Sequence, residues 1–308
     1  MSDAMKALEN MFSAVELVLY GWMSSFTIVV VLDDKGGVGK SLISQVAASL
    51  FEYFGFRIAI GDTDTNNSTS TQVLANSHVL DLNEKKSSGR LLRLMAGAAA
   101  NEFDHVVIDV GAREEAEIKT LLPWLVQAAR KLRGRVVVLR PITLGSHNQR
   151  NACNFLNIAE ALQIPVVFVR NEGQGRQPEY FDRWLTTGVR SAALARGAVE
   201  TMLSDADVRY ADEAVGLGLS IAACALQDWS KLMPREGMSD EDRKIAEQDV
   251  ADASDFFSDD VAAFLGEWLR VNMCSLGDAI EEAIVKREAL DTATAQDEEP
   301  QPRKAKKK

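Results

Sequence analysis

Positive charge is in short supply here: 34 Lys and Arg stand against 45 Asp and Glu in 308 residues, a net charge of −11. A broadly basic surface for nucleic acid is thereby excluded, and only local patches remain for nonspecific DNA contact. Cysteine and histidine are also scarce. Cys153, Cys224 and Cys274 form no CxxC pair, and His78, His105 and His147 are scattered, so neither a disulfide framework nor a zinc site is indicated. That cysteine usage suits the reduced cytosol, and a cytoplasmic location is expected. The first residues lack the basic character of a secretion signal.

One long apolar run is present. Met11 to Leu32 carries only Glu16 as a charge and is about long enough to span a bilayer. Its second half, however, is a run of β-formers from Phe26 to Leu32 that leads into a glycine-rich loop, and the same residues cannot serve both purposes. Stable membrane insertion is therefore not expected. With 46% hydrophobic residues the chain can bury a sizeable core, enough for one large domain or one plus an appendage.

The loop is Asp34-Lys35-Gly36-Gly37-Val38-Gly39-Lys40-Ser41, followed by Leu42 and an apolar-periodic segment. It reads as strand, phosphate loop, helix. Glycines let backbone N–H groups approach phosphates, Lys40 neutralises β/γ charge, and the Ser41 hydroxyl can ligate Mg²⁺ at a helix N-terminus. Gly36, Gly37, Val38, Gly39 and Leu42 join them as nucleotide-binding candidates. A single nucleotide site has no need of the second lysine, Lys35.

Further strands should follow. Ile43, Val46, Ala47, Leu50 and Phe54 give a helix closed by Gly55, and Arg57 to Gly61 then forms a buried strand. That strand delivers Asp62 and Asp64 to the carboxyl edge of the sheet, where such folds bind ligands; alternating carboxylates there suit a metal shell and water positioning. The other reading is that both cap a turn. Ser68 to Asn101 is poorly legible, with a loop over Glu84 to Gly89 and helix over Leu91 to Met95. His105 to Asp109 is a strand ending in a carboxylate, a Walker B pattern in which Asp109 supports Mg²⁺. Helix over Arg113 to Leu132, kinked or interrupted at Pro123, strand over Arg135 to Leu139, helix over Asn148 to Leu162 and strand over Pro165 to Arg170 complete the alternation. The expected fold class is α/β, a doubly wound, mostly parallel sheet of P-loop NTPase type with helices on both faces and a C-terminal helical appendage.

The segment KGGVGKS resembles the deviant Walker A motif of the ParA/MinD family of ATPases. The resemblance implies that Lys35 reaches across an ATP-dependent homodimer to the partner's nucleotide, that Asp64 supports hydrolysis, that ATP and Mg²⁺ are bound, and that an adaptor protein stimulates turnover. Asn171, just past a strand, matches an asparagine that relatives often place against adenine, although a turn residue before Glu172-Gly173 is an equal reading. Thr65 stands where the family has proline, and Val110-Gly111 where it commonly has two prolines. Val107-Ile108-Asp109-x-Gly111-Ala112 and Asp62-Thr63-Asp64-x-x-Asn67 look closer to the conjugal-transfer TraL-like branch of plasmid-borne relatives. The segment from Val208 to Gly218 resembles the family's closing pattern before a final strand or turn. The expected activity is thus ATP hydrolysis that drives partition, positioning or conjugative transfer of plasmid DNA. Two rivals stay open: an ATP-binding scaffold without significant hydrolysis that recruits a partner, and a metabolic P-loop enzyme of the dethiobiotin-synthetase or cobyric-acid type.

The expected organisation is a helical extension over 1–22, an ATPase domain over 23–232, an acidic helical appendage over 233–290 and a disordered tail with a basic end over 291–308. Within 1–22, Met5, Leu8, Phe12, Val15, Leu19 and Trp22 recur at helical spacing, while Met23-Ser24-Ser25 also reads as a start preceded by an upstream extension. Arg183, Trp184, Arg190 and Arg196 could present a basic and aromatic face to DNA; a solvated helix over a packed Trp is the alternative.

Overall fold

The computed structural model describes residues 19–64, 69–74, 77–79, 95–100, 102–143, 145–174 and 181–297. Its centre is a parallel sheet: β1 (Thr27–Val31), β2 (Ile58–Asp62), β3 (Ser77–Val79), β4 (His105–Asp109), β5 (Arg135–Ile142), β6 (Val166–Asn171) and β7 (Val199–Leu203). The order is β3-β2-β4-β1-β5-β6-β7, and every pairing is parallel. The β1 strand lies in the middle, flanked by β4 and β5, so the chain winds first toward one edge and then toward the other. Its Val31 pairs in register with Asp109, and Asp62 pairs with Asp109 from the other side, which brings both carboxylates to the same sheet edge as the end of β1.

Both faces of the sheet are covered, which is why its strands read as unbroken apolar runs. Ile28 and Val30 pack with α3 (Glu115–Lys131), α4 (Ser146–Leu162), α5 (Asp182–Thr186) and α6 (Gly188–Ala195). Val29 and Val31 point the other way, toward α1 (Lys40–Tyr53), α7 (Val208–Gly216), α8 (Ile221–Ala225) and the long α10 (Asp259–Asp297). Period-two alternation along β1 thus builds two separate cores. Helix α10 has 39 residues and an axis of about 58 Å. It buries Leu265, Leu269, Met273, Leu276, Ile280 and Ile284, a three-and-four spacing that lays one face on the sheet.

Several local expectations change. Helix α3 runs through Pro123 without interruption, because a proline removes one intrahelical bond and the packed Ile118, Leu122, Leu125 and Val126 hold both halves in place. The segment around Trp184 is two helices, and its ring is fully buried, with Nε1 donating to Glu200. Arg190 also pairs with Glu200, and Arg196 with Glu160, so these side chains are engaged within the fold. After α7 the chain makes the expected turn at Leu217-Gly218 and then enters α8. The acidic stretch before Asp260 contains α9 (Asp240–Phe256), capped by the Ser239 hydroxyl accepting from the Asp242 amide. Residues 1–18, 80–94 and 298–308, with the expected loop over Glu84 to Gly89 and the basic end, lie outside the described residues, as do Thr65, Asn66 and Asn67. Gly21–Ser24 is a short 3-10 helix, and the Tyr20 hydroxyl donates to the Cys274 carbonyl and to Asp278 of α10.

Candidate functional site

From β1 the chain passes Leu32 and Asp33, turns through Lys35 to Gly39, and enters α1 at Lys40. Gly39 has φ 89°, and a Cβ there would lie 2.1 Å from Nδ2 of Asn171. Glycine is required on both counts. The Asn171 amide in turn donates to the Val38 carbonyl at 3.0 Å, so the end of β6 braces the loop from below. Lys40 is buried, and its Nζ donates to the Lys35 carbonyl at 2.8 Å. Burial pulls its pKa down, while the carboxylates of Asp109, Asp33 and Asp64 favour its charged form.

The opposing wall is stitched from the ends of β2 and β4. Asp62 accepts the Asp64 amide at 3.0 Å, the Thr63 amide donates to the Asp109 carbonyl at 3.0 Å, and the Gly111 amide donates to the Thr63 hydroxyl at 2.7 Å. A Cβ on Gly111 would come within 3.1 Å of the Asp64 Cα and closer still to Glu114. The Val110-Gly111 sequence therefore has a local cause: the two loops approach too closely for a side chain. Asp109 accepts from the Ser70 hydroxyl at 2.6 Å. Burial pushes its pKa up, opposed by the hydroxyls of Ser70 and Ser41 and by the Lys40 ammonium.

These walls enclose a pocket of about 410 Å³. Gly36, Gly37, Gly39, Lys40, Ser41, Leu42, Asp64, Asp109 and Asn171 all line it, so most of the residues singled out in sequence converge. Three others lie differently. Lys35 is exposed and does not line the pocket, its Nζ standing 3.7 Å from where a Gly145 Cβ would be; Val38 is buried beneath the loop; and Asp62 is buried behind Asp64. The far wall is Ser204, Asp205 and Ala206 after β7, with Ala211, Asp212 and Val215 of α7 and Ile221.

The donors fit a nucleotide with its cation. Glycine amides, a lysine and a helix N-terminus converge on one space, as an anionic phosphate chain requires. Ser41 and Asp109 offer hard oxygen ligands. Among the described residues no three His, Cys, Asp or Glu side chains are arranged to hold a metal. A cation at this place would complete its shell with phosphate and water, which is the habit of Mg²⁺. Strand order and loop together decide the fold. It is a doubly wound parallel α/β sheet with a phosphate-loop motif between its central strand and the next helix.

No protein-family model matches the chain, and no curated protein matches it. Among solved structures, it is similar to the MinC:MinD cell division protein complex of Aquifex aeolicus, at 13% identity over 75% of this chain and 94% of that one, with a TM-score of 0.43. The Aquifex aeolicus MinD cell division protein gives 13% identity, 75% and 96% coverage and a TM-score of 0.41. The signal recognition particle 54 kDa protein of Aeropyrum pernix K1 in complex with GDP gives 11%, 95% and 83%, with a TM-score of 0.42. At TM-scores below 0.5, none of these bears on what this chain does.

Reading the motifs alone misses several side chains. Asp33 and Arg140 are fully buried and paired at 3.0 Å, and Arg140 also meets Glu115 at 2.7 Å. A signal was available, because an arginine inside the apolar run of β5 demands a buried partner. Glu114 is another: burial and the negative charge of Asp64 raise its pKa. The Ser204 to Ala206 wall carries no motif, and only the folded chain brings it to the pocket.

Proposed function

We propose that this protein is an ATPase switch of the ParA/MinD type, which binds Mg-ATP, pairs with a second copy around the nucleotides and separates after hydrolysis. The observation that carries this reading is the meeting of Lys40, Ser41, Asp64 and Asp109 around one glycine-lined pocket, with an exposed Lys35 at the start of the same loop. Lys40 would leave the Lys35 carbonyl to neutralise β/γ-phosphate charge, and the loop amides would hold the phosphate oxygens. Mg²⁺, when bound, would offset charge on the phosphates, with Ser41 and Asp109 as protein ligands and Asp62 behind them. Asp64 orients the attacking water, Asn171 contacts the adenine side, and Lys35 crosses to the nucleotide of the second subunit. The γ-phosphate then belongs to the interface, so its loss weakens the pair.

The finer role is partition, positioning or conjugative transfer of plasmid DNA in the cytoplasm, with an adaptor protein that stimulates hydrolysis. It rests on the short motifs around Asp62 and Asp109. Phosphate release from ATP with and without Mg²⁺, in wild type and Lys40→Ala, tests the activity. Release by wild type alone supports it; ATP binding without release favours a scaffold; no ATP binding discards the reading. ATP-dependent binding to nonspecific duplex DNA that weakens steeply with salt would support the DNA role, and salt-insensitive or absent binding would count against it.

A further inference from the structure

The buried ion cluster beneath the phosphate loop joins three segments that the pocket needs in register. The Arg140 guanidinium, fully buried on β5, donates through one nitrogen to Asp33 at 3.0 Å and through another to Glu115 at 2.7 Å. Asp33 uses its other oxygen to accept the Lys35 amide at 3.0 Å. Its Oδ2 also accepts from Asn148 at 2.8 Å, and Asn148 takes the Thr143 amide at 2.9 Å. Glu115 opens α3 directly after the 110–114 loop, whose Gly111 abuts Asp64, and it is salt-bridged to Lys119 at 2.6 Å. The Phe155 ring lies 5.2 Å from the guanidinium and helps close the cluster off.

Burying two carboxylates and a guanidinium is costly, and apolar groups of equal volume would serve stability at least as well. What the ions supply is direction. A planar fork meets two acids at fixed angles, and each acid is tied to a different loop. We propose that Arg140 is a positioning residue which, through Asp33 and Glu115, couples the 110–114 loop to the Lys35 end of the phosphate loop. It sets where Lys35 stands, and with it the readiness of the protein to pair on ATP. This deepens the proposed function and rests on it for the pairing step alone; the coupling between the loops stands without nucleotide.

The test uses the full-length protein in two arms. In the first, without nucleotide, amide hydrogen exchange is followed at Lys35 in wild type, Arg140→Lys and Glu115→Gln. Arg140→Lys keeps the charge but loses the fork, and Glu115→Gln keeps the shape but loses the charge, so each leaves a foldable core; neither side chain lines the pocket. Both variants should lose about tenfold of the protection at Lys35, the equivalent of one hydrogen bond, with core-strand exchange unchanged. Wild-type protection at Lys35 in both variants would overturn the coupling. In the second arm, ATP affinity, ADP affinity and ATP-induced pairing are measured. The variants should bind ADP within about twofold of wild type and lose about tenfold in ATP-induced pairing, a split that a general loss of packing would not give. Equal losses with ADP and ATP would overturn the positioning role. A wild type that binds no ATP would remove the proposed function while the first arm still decides the network.

Discussion

The indole Nε1 of Trp268 donates to the Ser204 carbonyl at 2.9 Å, which ties the long C-terminal helix to the wall of the nucleotide pocket. Asn272, one turn further on, accepts the Ser204 amide at 3.0 Å and donates to its hydroxyl at 2.9 Å. Helix α10 is therefore a buttress of the site as well as a cover for the sheet.

This relationship sets a first expectation. Trp268→Phe keeps most of the apolar contact and loses the hydrogen bond, so it should cost about 1 kcal/mol in urea unfolding and weaken nucleotide binding a few-fold. Trp268→Ala should cost about 3–5 kcal/mol. Titration calorimetry with ATP beside the denaturation curve checks both; nucleotide affinity unmoved in Trp268→Phe would deny the buttress.

Gly39→Ala should abolish nucleotide binding, because the new Cβ meets Asn171 and the backbone stands at φ 89°. Gly37→Ala differs in kind. Its φ is also positive, at 68°, but among the described residues no atom beyond its chain neighbours lies within 4 Å of the added carbon, so the cost is backbone strain of about 1 kcal/mol. Melting temperatures and ATP affinities of the two variants, compared side by side, separate clash from strain.

Two titratable groups, the buried His105 and the half-buried Glu52, give opposite pH slopes. His105 is stacked on Phe51 at 4.2 Å and meets Phe56 edge-on, and burial holds its pKa down at about 4 against an ordinary 6.5. Above 6.5 both states are neutral; as pH falls toward 4 the unfolded chain takes the proton first, so stability drops by about 3 kcal/mol. His105→Phe should remove that slope. Glu52 is pushed by burial up to about 7 from 4.5. The unfolded chain loses that proton first, so stability declines as pH rises from 4.5 through about 7, and Glu52→Gln should gain stability near neutral pH while matching wild type in acid. Urea midpoints across this range read both slopes.

The loop from Lys35 to Ser41 and the acids Asp64 and Asp109 were legible because phosphate chemistry leaves a local signature: glycines, a lysine and a strand-end carboxylate. The alternation of apolar runs and helical stripes made the doubly wound sheet equally legible. Arg140 and Asp33 were not, because they are 107 residues apart and only the β1–β5 pairing brings them together. The same holds for Ser204 and Trp268, 64 residues apart. Around Trp184 local pattern left two readings open, a face for DNA and a solvated helix over a packed Trp; the ring is buried, and Glu200 and Glu160 pair with Arg190 and Arg196.

Breaking the buried ion pair from one side should be severe. Arg140→Ala leaves Asp33 and Glu115 without their guanidinium in a fully enclosed place and should cost about 3–5 kcal/mol. Arg140→Met combined with Asp33→Asn and Glu115→Gln should recover most of that loss, since no charge is left stranded in the enclosed cluster and Lys119, which loses its bridge to Glu115, is partly exposed to water. Equal destabilisation of the single and the triple variant in urea would contradict the assignment of the cost to stranded carboxylates.

Nucleotide-timed pairing is read by light scattering with added Mg-ATP, followed alongside phosphate release. Wild type should pair and then separate as phosphate appears, Lys40→Ala and Lys35→Ala should stay monomeric, and Asp64→Ala should form an ATP dimer that persists. Monomers that bind ATP and never pair, in wild type and Asp64→Ala alike, would contradict the account.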